Sequence, residues 1–203
     1  MAEAPPAERH VYMDRETYLE LREEIDTALA NPYENFIHSA FRLETRQQYL
    51  VNLEAKAFAS FKETGILPPW DQEVADWYTQ VAESTKAGKT RSRVRIVDLP
   101  LTDYTRFEFE IYKDNIKAGE KINILDRHDH PELTELNEDF WLFDTETDHP
   151  TAVLIHYDDE GHYLDYWQTQ NIPIIEECKS QRDRALAASV PFEEYCNSSL
   201  VRS

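Results

Sequence analysis

The stretch RSRVRIVDLPLTDYTRFEFEIYKDNIKAGEKINIL, residues 91–125, carries the sharpest change of period in the chain. In Arg91–Val97, basic and apolar side chains alternate with the period of two that marks a strand. The following LTDYTRFEFEIYKDN fits two templates. Phe107, Phe109 and Ile111 alternate as in a strand, whereas Leu101, Tyr104, Phe107 and Ile111 share one side of a helix. Helix is the better reading, because it gives a strand–helix–strand crossover joining Val94–Val97 to Ile122–Leu125. Crossovers of that kind are right-handed in nearly all cases.

Downstream of the crossover, Phe140–Phe143, Ala152–Tyr157 and His162–Trp167 give three short strand signals. The last two flank Asp158-Asp159-Glu160-Gly161, a hairpin turn with glycine where positive φ is needed. Pro173 suits the first turn of a closing helix that runs to Ala188, and PFEEYC adds a short final segment. Upstream, Asp14 caps a helix carrying Tyr18, Leu21, Ile25 and Leu29 on one face, ended by Asn31-Pro32. Phe36–Val51 follows neither period and is read as extended. Asn52 caps a short helix with Leu53, Ala57, Phe58 and Phe61, stopped at Gly65. Asp71 caps the next, with Val74, Trp77, Tyr78 and Val81 in helical spacing before Gly88.

The expected class is α+β. A helical N-terminal half precedes a mixed sheet of about five strands with one βαβ crossover, a C-terminal hairpin and a closing helix. Residues 1–35 read as an N-terminal arm with one helix, 36–197 as a single domain and 198–203 as a tail.

Forty acidic against 21 basic side chains give the 203 residues a formal charge of -19. That charge repels phosphate backbones, so direct nucleic-acid binding is not expected, and cationic partners are favoured. A hydrophobic fraction of 41% supports a packed core and excludes a disordered acidic tail. Cys178 and Cys196 have no metal-type spacing and read as thiols of a reducing compartment. The stretch MAEAPPAERHVYMDRETY shows no basic and apolar leader pattern, and no apolar run reaches a membrane span. The expectation is a cytoplasmic protein away from membranes.

Established catalytic frames are missing. The sequence has no P-loop, G-x-G-x-x-G, G-x-S-x-G or kinase lysine frame, and only 4 glycines. Two groups nevertheless contain metal-ligand types. Asp126, His128, Asp129, His130 and Glu132 lie in a loop, and His156, Asp158, His162 and Asp165 surround the hairpin turn. His128, His130, His156 and His162 are therefore the candidate ligands of a divalent metal, against the plainer reading of solvated polar loops; no other cofactor is expected. Arg91, Arg93 and Arg95 share a strand face, with Arg42 and Arg46 earlier. All five are candidates for contact with an anion or partner. The plainer readings are the polar face of an edge strand paired with carboxylates for the first three, and internal ion pairs for Arg42 with Glu44 and Arg46. Tyr104, Phe107, Trp141, Tyr163 and Trp167 are the candidate lining of a ligand pocket between sheet and C-terminal helix, with core packing as the alternative.

Several blocks together resemble a known family. They are AFRLETRQQYLV (40–51), RVRIVDLPLTDYTRFEFE (93–110), NIKAGEKINILDR (115–127), EDFWLFD (138–144), HYDDEGHYL (156–164) and RDRALAASVPFEEY (182–195). In this order they look like an actinobacterial family of uncharacterised proteins, described as a domain of unknown function. The likeness covers about Phe36 to Tyr195. It implies an accessory protein encoded beside Xre-type helix-turn-helix regulators, and it supplies no catalytic residues. The element order of the second half also resembles half of a phospholipase D-like domain. None of the seven histidines is followed two residues later by lysine, so the H-x-K chemistry of such domains is absent.

The leading expectation is a non-enzymatic regulatory protein whose acidic surface engages a basic helix-turn-helix partner, with homodimerisation left open. A small-molecule sensor or enzyme using the histidine and carboxylate groups, and a toxin–antitoxin component, are the alternatives.

Overall fold

The computed structural model describes residues 31–51, 54–70 and 72–199. A short α1 (Pro32–Asn35) enters β1 (Ser39–Glu44), and α2 (Ala55–Thr64) and α3 (Gln72–Lys86) precede β2 (Thr90–Val97). The long α4 (Asp103–Ala118) links β2 to β3 (Lys121–Asp126), which pairs with it in parallel. This is the expected strand–helix–strand unit. Thr102 starts its helix by accepting the Thr105 N–H on its side chain. Then come β4 (Asp139–Phe143), β5 (Thr151–Tyr157) and β6 (Tyr163–Thr169), and α5 (Ile172–Ala188), β7 (Val190–Pro191) and α6 (Phe192–Ser199) close the chain. The helix expected from Asp14 and the caps expected at Asn52 and Asp71 lie outside the described residues. Gly65 stops α2 in the left-handed region, as its position suggests.

The strands form one mixed sheet in the order β6-β5-β4-β1-β2-β3-β7. Seven strands replace the expected five or so. The additions are β7 and, more consequentially, β1, which comes from the undecided Phe36–Val51 segment. Strand β1 lies parallel to β2 and antiparallel to β4, near the middle of the sheet. Five of its six residues are buried, so its sequence shows no alternation of apolar and polar residues.

Register then sorts the side chains into two faces. Arg42 stands beside Arg93 and Trp141, and Glu44 stands beside Arg95. With Asp139 they share the face covered by α2, α3 and α4. The opposite face carries Phe41, Leu43, Val94, Ile96, Phe140 and Leu142, packed against Ile174, Ile175 and Cys178 of α5. A further cluster joins Phe109 and Tyr112 of α4 to Phe192 and Tyr195 of α6. Asp144 fastens the entry to β1: at φ 51° its carboxylate accepts the backbone N–H groups of Ile37 and His38 at 2.7 Å and of Ser39 at 3.0 Å.

Candidate functional site

The arginines of β1 and β2 point under the helical layer, not outward. Strand β2 is central, flanked by β1 and β3, so the row cannot be the polar face of an edge strand. Arg93 bridges Glu44 at 3.0 Å and Glu120 at 2.7 Å, with its guanidinium 5.2 Å from the Tyr112 ring. Arg42 lies 3.3 Å from Asp139 and 3.5 Å from Glu44. Arg91 sits between the rings of Phe36 and Trp77, at 4.7 and 4.9 Å. Arg95 is fully buried, 2.7 Å from Glu108 on α4 and 5.0 Å from the Tyr49 ring. Its pairing with Glu108 is close but not aligned as a hydrogen bond, and its Nε and Nη1 have no partner among the described residues. Arg46, half-buried, donates to the carbonyls of Asp158 and Tyr157. These five residues therefore hold the fold together from inside. Arg42, Arg91, Arg93 and Arg95 present no exposed face to an anion or partner.

Burial sets the titration of this network. Desolvation would raise the Glu44 carboxyl, but Arg93, Arg42 and Arg95, with the Tyr112 hydroxyl, outweigh it and bring it down to about 2. Burial pushes Glu108 upward by more than Arg95 pulls it down. Asp139 is held from three sides, by Arg42, by the Thr45 hydroxyl at 2.9 Å and by the Tyr49 hydroxyl. Glu108, Asp139 and Tyr49 were not singled out from sequence. For Glu108 a signal existed. It falls with Tyr104 and Ile111 on the apolar stripe of α4, and a carboxylate there demands a buried cationic partner.

Where this layer meets the surface, two clefts open on either side of the segment after β1. The tip of the β5–β6 hairpin rests on that segment: Leu50 donates its N–H to the Gly161 carbonyl at 2.9 Å, and Leu50 bridges His162. Gly161 has φ 92°, and a Cβ there would lie 2.5 Å from the Gln48 carbonyl oxygen. One cleft, of about 590 Å³, has Tyr49, Tyr104 and Phe58 as aromatic walls and Glu54 and Glu63 at its rim. The other, of about 750 Å³, is polar, with Arg46, Gln47, Asp98, Arg127 and Glu160. His162 borders both.

The remaining candidates are dispersed. Of the five expected pocket residues, Tyr104 lines the first of these clefts and the other four line neither. Phe107 is buried beside Phe58 and Phe61, and Trp167 lies in the core under α5. Trp141 packs against Tyr33 and Phe143, and Tyr163 is exposed on β6. The space between sheet and C-terminal helix is thus filled by core side chains. Among the histidines, His128 lies 3.4 Å from Asp129, His130 3.2 Å from Glu132, and His156 2.5 Å from Asp165. His162 takes Asp158 at 2.9 Å. The described residues place only Asp158, Glu160 and His162 in a group compact enough for one cation, and all three sit on the solvated turn. Both cysteines are free thiols, and burial raises Cys178 to about 12, which leaves it unreactive.

Fold and site together define a mixed α+β sheet protein with an ion-paired interior and an aromatic cleft at the rim of its sheet. The chain belongs to the family described as domain of unknown function DUF6879, whose model matches residues 27–197. No curated protein and no solved structure matches it. Among the described residues, no helix is long and apolar enough to cross a membrane.

Proposed function

We propose that this protein is a non-enzymatic interaction protein of the cytoplasm, an acidic accessory partner of a basic helix-turn-helix regulator of the Xre type. The reading includes the actinobacterial setting and the neighbouring regulator gene that the sequence blocks imply. One observation carries it: the local positive run of the sequence is spent inside the molecule. Arg42, Arg93 and Arg95 are buried against Glu44, Glu108, Glu120 and Asp139, Arg91 is buried between the Phe36 and Trp77 rings, and Lys89 donates to the Phe36 carbonyl at 2.5 Å. Of the stretch from Lys86 to Arg95, Lys86 is the basic side chain left exposed, and Lys89 is half-buried. Six carboxylates, Glu44, Glu108, Glu120, Asp126, Asp139 and Asp144, are buried among the described residues beside the four arginines. The basic run therefore leaves little positive charge on the surface, where Asp159, Glu160, Glu146, Asp148, Glu193 and Glu194 are all exposed. A surface of this kind steers a cationic partner and fixes its orientation, with more effect on the encounter rate than on final affinity.

The test is co-purification with the regulator encoded beside the gene. A complex is expected at about 50 mM salt, with an association rate that falls about tenfold or more toward 0.5 M as the Debye length shrinks. Absence of a complex at low salt, or a rate indifferent to salt, overturns the reading.

A further inference from the structure

The aromatic cleft beside α2 has a feature that the partner reading does not use. Glu54 precedes the first turn of α2 and turns its Oε2 toward Tyr104, whose hydroxyl donates to it at 2.9 Å. Among the described residues Glu54 has no cationic side chain within ion-pair distance, and neither has Glu63 on the same rim. A phenol supplies one hydrogen bond and no charge. A carboxylate withdrawn from water without a counter-ion is costly, so the site is electrostatically incomplete. The walls are suited to what is missing. Tyr49, Tyr104 and Phe58 present rings, and Ala55, Ala59 and Leu50 add exposed apolar surface. Lys62 also lines the cleft, its ammonium held 5.7 Å from the Phe58 centroid and forming no ion pair with Glu54 among the described residues. The lining thus sets one ammonium against two carboxylates and shows that this ring accepts a cation. The volume of about 590 Å³ falls within the usual range for small-ligand sites.

We infer that this cleft binds a small organic cation, a protonated amine carried on an aromatic or apolar body. The ammonium takes Glu54 as its counter-ion, and the body lies among Tyr49, Tyr104 and Phe58. Burial raises the Glu54 carboxyl above its usual range, an effect that Arg93 and Arg95 offset only in part. An anion is disfavoured by the two carboxylates, and a neutral molecule leaves Glu54 unmatched. Such a ligand requires no protein partner, so the site stands or falls separately from the complex with a regulator.

The probe is phenethylamine at pH 7, with 2-phenylethanol as its neutral counterpart. Binding is read by titration calorimetry and by the shift in melting temperature of the full chain. The amine is expected to bind in the sub-millimolar range, at least tenfold more tightly than the alcohol. Glu54→Gln is expected to weaken it tenfold or more, while Glu193→Gln, which removes an equal charge on the distant α6, leaves it unchanged. Phe58→Leu, which keeps the apolar volume but removes a ring, should weaken the amine several-fold and so covers the case in which Glu54→Gln folds poorly. Equal affinity for amine and alcohol overturns the inference. So does equal weakening by Glu54→Gln and Glu193→Gln, which would mean diffuse attraction to an acidic surface, and so does the absence of any binding by wild type.

Discussion

Arg93 is the residue on which the buried network turns, because two carboxylates from different parts of the chain depend on it. Replacing it by methionine keeps much of the volume but strands Glu120 in a dry environment and leaves Glu44 only the more distant Arg42 and the Tyr112 hydroxyl. Loss of one partner from a buried ion pair costs about 3–5 kcal/mol, and a urea midpoint lowered to match is expected for Arg93→Met. A loss under about 1 kcal/mol would mean that water reaches the carboxylates freely. Glu44 also sets part of the acid limit. Its folded-state pKa is depressed to about 2, below the ordinary carboxylate value, so its contribution is fully present above about pH 4.5. That contribution is lost as pH falls toward and through 2. Stability measured between pH 6 and 2 should therefore fall less steeply for Glu44→Gln than for wild type, even though the variant starts lower. Asp144 provides a third case. Asp144→Ala removes the acceptor of three backbone N–H groups at the start of β1, and a cost of about 1–3 kcal/mol in equilibrium unfolding is expected.

Among the elements, those with one wet and one dry face were readable from sequence and those dry on both were not. Helix α4, the hairpin of β5 and β6, and α5 follow their periodicities, and all stand where residues 91–188 place them. Strand β1 gave no such signal, because Ala40, Phe41, Arg42, Leu43 and Glu44 are all buried and its charged residues point inward to each other's partners. The same inversion hid the part played by the arginines. An arginine facing a carboxylate on a covering helix looks, in one dimension, identical to an arginine facing water. The cleft was illegible for a different reason, since Tyr49, Glu54, Phe58 and Tyr104 come from three separate elements. Its geometry depends on the hairpin tip lying against Gln48–Leu50, a contact that only glycine permits at residue 161. Gly161→Ala introduces both a strained φ and a clash with the Gln48 carbonyl. The expected result is a protein that stays folded but loses about 1–2 kcal/mol, a cost like that of other strained backbone positions. Its hydrogen exchange should speed up at Leu50 in particular, and unchanged protection at that amide would contradict the docking of the tip.

At the scale of the molecule, charge is partitioned among the described residues: four arginines are buried with six carboxylates, and acidic side chains outnumber basic ones outside. The partition explains how an arginine-rich strand and a pI near 4.7 coexist in one domain. It bears also on the outermost strand. Strand β6 has β5 on one side and no strand on the other among the described residues, and it exposes Tyr163, Leu164 and Tyr166. An open edge with large apolar side chains is a template for pairing with another chain, and repulsion between like-charged molecules is one way to keep such edges apart. The acidic exterior then serves as a colloidal safeguard. Near the isoelectric point that safeguard disappears while the edge remains, so the protein should self-associate as pH approaches 4.7 and redissolve at neutral pH. Light scattering across that interval would reveal it, and Tyr166→Lys, which places a positive charge on the open strand, should move the onset of aggregation.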